Sequence, residues 1–496
     1  MENVKLINFS KKSDKRGSLI PVESYKDVPF NIERIFYIKG MDDFPRGFHS
    51  HRKTVQVITP IAGSFDIELT DSFTTKSYHL EDDSKGLLIP LDIWLKMENF
   101  SLDCIILVIC SYEYDEKEYV RNFGDFVTIQ NQKDETIRNI NIDLSVEERG
   151  KIHKKMKEII DNNQFVLGNE LKQFEQNFAD YIGTQYCVGV SNGTSAMIAA
   201  LKALNLSKTD EIILQSNTYI AAALASTGYN IKIVDVDENL NIDLELLESS
   251  ITENTKVVFV VHLYGMCPDM DRLLQLKEKY GFYIIEDAAQ AHGSSYKDKK
   301  LGSFGDIGCF SFYPTKNLGS FGEGGCITTD NQEIYNYIKK YRNYGSEKKY
   351  VWEIKGANER MHNIQAAILN IKLEHLDEQN KARNKLGEIY NNTLQNITGV
   401  RIIENHNELY RNYHLYVILV EDREKLQKFL SKNHIQTNIH YPETFYKSLA
   451  FKELNHLSFK ADEYKHQVLS LPMHPTLKET EVFTVCEKIK SFYRIK

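Results

Sequence analysis

Cysteine pairs, single-sign charge blocks and long apolar runs are all missing from this sequence. Its seven cysteines (Cys104, Cys110, Cys187, Cys267, Cys309, Cys326 and Cys486) form no C-x-x-C pair. An odd set of thiols, most of them inside apolar runs such as CIILVIC, argues against a disulfide framework and for buried free thiols in a reducing compartment. The formal charge is −8, with no basic tail or block, which disfavours nucleic acid as a partner. Apolar runs such as VVFVV fall well short of the ~20 residues that span a bilayer. The first residues, MENVKLINFSKKSDKRG, hold no apolar signal core. A cytoplasmic protein with no membrane partner is the expectation.

What is present is length and ordinary globular composition. The chain has 496 residues, 42% hydrophobic and 26% charged, enough for two to four domains. Through about residue 130, short β-rich runs (RIFYIKG, TVQVITP, SFDIELT, GLLIP, CIILVICSYEY) recur between turns, the pattern of an all-β sandwich or jelly roll. IQNQKDETIRN, residues 129–139, is polar and aperiodic, and a linker is expected at 131–139. Ser145 and Glu148 then fit a capping box, and Ile152, Met156, Ile159 and Ile160 are expected on one helix face. Beyond it, strand-like runs (YCVGVS, EIILQS, IKIVDVD, KVVFVVHLYG, FYIIEDAA) alternate with helices. Alternation of this kind implies a mostly parallel sheet covered on both faces, an α/β domain over 140–496.

Ligands of such sheets collect beyond the carboxyl ends of strands. Four groups fall at such ends. Gly193, Thr194 and Ser195 open a helix after VGVS, where free N–H groups and the helix dipole suit a phosphate, although a plain strand–helix turn reads the same way. Asp287 ends the apolar strand YIIED and needs either a cationic or hydrogen-bonding partner or a helix to cap. Ser311 lies in the next strand. Lys316 follows in FSFYPTKNLG, ahead of the glycine-rich GSFGEGG. A phosphate site, a carboxylate and a lysine with little bulk around it together suit pyridoxal 5′-phosphate, whose aldehyde condenses with lysine and whose ring nitrogen is kept protonated by a carboxylate.

From about residue 137 to 496 the sequence resembles fold-type I pyridoxal-phosphate aminotransferases acting on nucleotide-linked keto sugars. The resemblance runs through NQFVLGNELKQFEQNFADYIG, SNGTSA, EDAAQAHGS, GCFSFYPTKNLGSFGEGG, RNYGS and NERMHNIQAAIL. It implies a mixed, mostly parallel sheet with a small C-terminal α/β subdomain. It also implies that Lys316 forms the imine with the cofactor, Asp287 pairs with the ring nitrogen and Gln290 lies by the ring hydroxyl. Thr194 and Ser311, with Gly193 shaping the turn, would hold the phosphate, and Tyr219 would stack on the ring. Asn358 and Arg360 match a segment that reaches a neighbouring subunit's site, so a homodimer or higher homo-oligomer is implied. Lysine rather than histidine at 316 favours amino transfer over removal of a sugar hydroxyl, with glutamate as the implied donor.

In RGFHSHRKTVQVITPIAG, His49 and His51 share one face of a strand. A metal pair and a proton-transfer pair both fit that spacing, as does a plain hydrogen-bonded pair. The segment resembles a cupin, but Gln56 stands where a metal-binding cupin has glutamate and Trp94 or Leu95 where it has the last histidine, so no metal is expected. RIFYIKG, RGFHSHR, IPLDIW and SYEYDEKEYVRNF resemble instead the 3,4-ketoisomerases of dTDP-4-keto-6-deoxyglucose. By that resemblance His49 and His51 carry the acid–base chemistry, and Arg46, Tyr37, Tyr119 and Arg121 contact substrate. The fusion then implies isomerisation of a dTDP-linked keto sugar followed by transamination at C3 to a 3-amino-3,6-dideoxyhexose, typically destined for surface polysaccharide. Two other readings stay open at this point: amination at C4 with a non-catalytic cupin, and a pyridoxal-phosphate-binding regulator. The sequence does not distinguish gluco from galacto products.

Overall fold

The computed structural model describes residues 4–39, 44–131 and 136–494. It divides into two compact units, 1–135 with 144–154, and 136–143 with 155–496.

The first unit is a jelly roll of two five-stranded antiparallel sheets. One orders its strands Lys5–Asn8, Lys85–Ile89, Gln56–Ala62, Ile105–Cys110 and Arg34–Ile38; the other Tyr119–Val120, Arg46–His51, Trp94–Glu98, Phe65–Thr70 and Thr75–Leu80. Strict alternation builds the core. In FDIELT, Phe65, Ile67 and Leu69 are buried while Asp66, Glu68 and Thr70 are not. They meet Ile58, Leu87, Ile106 and Val108 from the facing sheet and Leu95 from the neighbouring strand. A helix, Phe123–Asn131, follows the last strand.

The second unit carries a seven-stranded sheet in the order Tyr186–Val190, Gly325–Thr329, Ile307–Ser311, Tyr283–Asp287, Thr255–Val261, Glu211–Gln215 and Asn230–Val234. Only Gly325–Thr329 runs against its neighbours. Both faces are covered, so central strands read as unbroken apolar runs. Within TKVVFVV, Val258 and Val260 join the core on one face, and Val257 and Phe259 the core on the other. A smaller sheet, Val400–Ile402, Tyr416–Val420 and Val468–Leu471, packs with the helices Leu376–Leu394, Arg423–Lys432 and Glu479–Arg494.

Two expectations need correction. Residues 129–139 are not a plain linker. Residues 129–131 end a helix, and residues 132–135 lie outside the described residues. Ile137 is buried in the second unit, where its N–H donates to the His434 carbonyl at 2.8 Å and its own carbonyl accepts from Gln436 at 2.9 Å. One apolar residue among polar ones is too short a signal to show periodicity. The Ser145–Glu148 box does form, with Glu148 N–H donating to Ser145 Oγ at 3.1 Å and Ser145 N–H to Glu148 Oε2 at 2.9 Å. Of the expected helix face, Ile152 and Ile159 are buried and Met156 partly so, but Ile160 is 54% exposed. Eight positions after Ile152, Ile160 has rotated to the edge of the stripe.

Phe178 sits where the helix Asn169–Ile182 meets the sheet, with ring centroids 4.9 Å from Phe310 and 5.2 Å from Phe312. Phe178→Ala is expected to lower the stability of this unit by about 3–5 kcal/mol, read as a lower urea midpoint with an unchanged slope.

Candidate active site

In the second unit, one cavity of about 860 Å³ opens at the carboxyl edge of the large sheet. It is lined by Gly193, Thr194, Tyr219, Asp287, Gln290, Ser311 and Lys316, so residues spread over 124 positions converge on it. Register explains the convergence. Asp287 pairs with Cys309 on the parallel neighbour, which places Ser311 one pleat further and Lys316 in the turn that follows, where its N–H donates to the Tyr313 carbonyl at 2.8 Å. Asn192 caps the helix Gly193–Ala203 by accepting from Ser195 N–H at 2.9 Å. The amides of Gly193 and Thr194 are left facing the cavity end of the helix dipole. Gly193 is required by close approach: a Cβ there would lie 2.8 Å from the Ser311 Cβ.

Asp287 is buried and caps no helix; its Oδ1 accepts from Ala289 N–H at 3.1 Å in a turn. Burial pushes its carboxyl up, against the pull of Ala289, Lys316 and His262. Burial lowers the Lys316 amine to about 8, against the pull of Asp287. Asn358 and Arg360 are not part of this cavity. Arg360 donates to Asn343 Oδ1 at 3.3 Å and lies over Tyr344, while Asn358 is exposed.

In the first unit a smaller cavity, about 250 Å³, is lined by Arg46, His49, Gln56, Tyr119 and Arg121 over an apolar floor that includes Phe36 and Leu95. His49 Nδ1 lies 2.9 Å from the Gly47 carbonyl, and His51 Nδ1 lies 2.5 Å from Glu118 Oε1. His51 is 3% exposed and sits behind the lining, its ring centroid 4.9 Å from His49 and 4.3 Å from Tyr119. Burial lowers both imidazoles, His51 to about 4 with His49 adding to the effect and Glu118 opposing it, so both are neutral at pH 7. Tyr37 does not line the cavity. Phe36 and Ile38 do, and alternation turns Tyr37 away. Leu95, paired with His49, occupies the corner for which the sequence offered Trp94 or Leu95; Trp94 packs on Phe123 and Phe126 instead. The Gln56 amide donates to Cys110 Sγ at 3.6 Å. Among the described residues, the donor set here is therefore two neutral imidazoles without a carboxylate aimed between them.

The sequence profile of the DegT/DnrJ/EryC1/StrS aminotransferase family matches residues 146–490. The chain belongs to this family. A second profile, described as WxcM-like, C-terminal, matches residues 2–131. A dTDP-3-amino-3,6-dideoxy-alpha-D-galactopyranose transaminase of Aneurinibacillus thermoaerophilus is 40% identical over 72% of this chain and 98% of its own. Among solved structures, Streptomyces venezuelae DesV in complex with a ketimine intermediate is 35% identical with a TM-score of 0.70, covering 72% of this chain and 98% of DesV. NtdA of Bacillus subtilis with bound cofactor PMP is 29% identical with a TM-score of 0.65, covering 71% and 85%.

This is a pyridoxal-phosphate-dependent family, and the chain is a sugar aminotransferase by membership. The aminotransferase cavity fits that cofactor. Gly193 leaves a hollow a side chain would fill, the helix start favours a phosphate, and Asp287 and Lys316 are each held away from their ordinary ionisation by burial. Several residues escaped sequence reasoning. Tyr441 accepts from Gln290 Nε2 at 3.0 Å and packs on Tyr219 at 5.0 Å. His414 and His440 line the same cavity. Glu286, beside Asp287 but on the opposite face, accepts from the N–H groups of Gly302, Phe304 and Gly305 and lies 2.8 Å from His262 Nε2. It anchors the strand end. Only the acidic pair ED at the end of an apolar strand hinted at it.

Gly193→Ala is expected to weaken cofactor binding by at least ~10-fold, read by absorbance titration, because the added methyl must displace Ser311. In cofactor-free protein, labelling of Lys316 by an acylating reagent should rise with pH to a midpoint near 8, since only the neutral amine reacts.

Proposed function

We propose that this aminotransferase is a bifunctional nucleotide-sugar enzyme. Its first unit moves the ketone of dTDP-4-keto-6-deoxyglucose from C4 to C3, and its second aminates C3 to give a dTDP-3-amino-3,6-dideoxyhexose. The observation that carries this reading is the presence, in one chain, of a cavity lined by one neutral imidazole with a second packed behind it, and a cavity with a half-buried lysine and a buried carboxylate. The name of the Aneurinibacillus relative supports the D-galacto product. Glutamate is the proposed donor, and the cytoplasm, where nucleotide sugars are made, the proposed location.

In the first unit the C3 proton is acidic because C4 is a ketone. An imidazole Nε2 takes that proton to leave an enediol, and a proton returned to C4 leaves the ketone at C3. No electron is gained or lost, and a placed base contributes typically ~10²–10⁴-fold. Arg46 and Arg121 supply positive charge at the cavity for the diphosphate, and Tyr119 presents its ring beside both imidazoles.

In the second unit, pyridoxal phosphate supplies the carbonyl that carries the amino group and the ring that accepts electrons. Thr194, Ser311 and the amides at Gly193 would hold its phosphate, Asp287 its ring nitrogen, Gln290 its hydroxyl side and Tyr219 a ring face. Lys316 Nζ would attach to it and move protons at the substrate carbon, a task that its lowered basicity suits. Asn358 and Arg360, outside their own cavity, suit a role in the cavity of a second copy, which makes the proposed unit a homodimer.

Incubation with dTDP-4-keto-6-deoxyglucose, pyridoxal phosphate and glutamate should yield a product with nitrogen on C3 by NMR. Nitrogen on C4 would sink the bifunctional reading in favour of a non-catalytic first unit. His49→Ala and His51→Ala should each cut conversion of the 4-keto sugar by ~10²-fold or more while leaving amination of a supplied 3-keto sugar intact. Lys316→Ala should abolish amination alone.

A further inference from the structure

The two imidazoles of the first unit are not equivalent. His49 faces the cavity and spends its Nδ1 on a backbone carbonyl. His51 is buried and spends its Nδ1 on a carboxylate that the sequence did not single out. Strand pairing makes that contact. Tyr119 pairs with His51 and Val120 with Ser50, so Glu118, one residue earlier, lies beside the end of the histidine strand and accepts Arg52 N–H on its carbonyl at 3.1 Å.

We infer that Glu118 is a positioning residue that fixes the tautomer of His51, leaving the lone pair on Nε2 of a ring packed against His49 and Tyr119 of the cavity wall. This rests on the isomerase reading of the first unit. Glu118 is 2% exposed, and its two oxygens are fully engaged. Oε1 accepts from Thr54 Oγ1 at 2.6 Å and faces His51 Nδ1 at 2.5 Å, while Oε2 accepts from Lys53 N–H at 3.2 Å. Burial pushes the carboxyl up, but these donors outweigh it and hold the group below its ordinary value, so it is ionised. An ionised carboxylate only accepts. The His51 proton must therefore sit on Nδ1, and Nε2 carries the lone pair. That atom is buried without a hydrogen-bond partner among the described residues. The other charged or titratable groups around the ring are His49, Tyr119 and Arg34, with Cys110 and Arg121 beyond them. Among the described residues, none supplies a second acceptor to His51 Nδ1.

Glutamine at 118 would invert this arrangement. Lys53 N–H is a backbone donor and cannot reverse, so the amide oxygen must turn toward it. The amide NH₂ then faces His51 and Thr54. The Thr54 hydroxyl can switch to accept, and His51 Nδ1 must accept as well. The proton moves to Nε2 and the base is lost, although shape and size are nearly unchanged. Aspartate at 118 keeps an acceptor-only group, one methylene shorter.

The test uses the full-length chain. Exchange of the C3 proton of dTDP-4-keto-6-deoxyglucose in D₂O reports the first unit alone, and ¹⁵N NMR of histidine-labelled protein reports the tautomer. Wild type should exchange and show His51 protonated on Nδ1. Glu118→Gln should lose ~10²-fold or more in kcat with KM changed less than about threefold, and should show His51 protonated on Nε2. Glu118→Asp should recover part of kcat and the wild-type tautomer. A Glu118→Gln variant within about threefold of wild-type kcat overturns the inference. So does wild-type His51 protonated on Nε2, which can be read even if Glu118→Gln does not fold. Wild type that fails to exchange while retaining the Nδ1 proton overturns the isomerase reading and with it any catalytic role for Glu118.

Discussion

A carboxylate buried at the end of one parallel strand and a half-buried amine in the turn beyond its neighbour set the terms for the second unit. Neither Asp287 nor Lys316 is comfortable as an ion where it sits. Burial raises the one and lowers the other, and their mutual attraction only partly compensates. An arrangement that costs folding energy persists only if the surroundings hold it. Here Glu286 locks the strand end through three backbone N–H groups and His262, and the Pro314–Gly319 turn brings Lys316 back toward Asp287. A ligand bearing both a cationic ring nitrogen and an electrophilic carbon would relieve the desolvation of both groups.

The first unit solves a related problem with neutral groups. Its two imidazoles are desolvated and mutually repulsive as cations, so they stay uncharged near pH 7. One carboxylate is placed behind them rather than in the cavity, and its charge is consumed by Thr54, Lys53 and His51. The cavity floor is meanwhile aliphatic and aromatic.

Much of this is legible in the amino-acid sequence. The alternation in FDIELT and the unbroken apolar TKVVFVV declare which sheet has one buried face and which has two. Asp287, Ser311, Lys316 and the Gly193 turn announce themselves because they sit at strand ends, where local pattern and function coincide. What stays hidden depends on contacts between distant segments. Tyr441 reaches the cavity from 125 positions beyond Lys316, and nothing in IHYPE marks it. Glu118 sits in an acidic stretch, DEKEYV, where any of three acids could have met His51; only strand register selects one. Tyr37 misleads because an aromatic in a matching motif says nothing of which way its strand faces.

The path of the chain between residues 131 and 155 has a practical meaning. Residues 136–143 belong to the second unit, where Ile137 bridges to Ile435. Residues 144–154 return to the first, where His153 stacks on Tyr25 with centroids 5.7 Å apart and Gly150 lies against the same ring. The backbone thus stitches back and forth before settling. A break before Thr136 parts the first unit from residues 144–154, which cluster with it, and a break after Lys154 cuts the helix Val146–Asp161 and parts the second unit from Ile137.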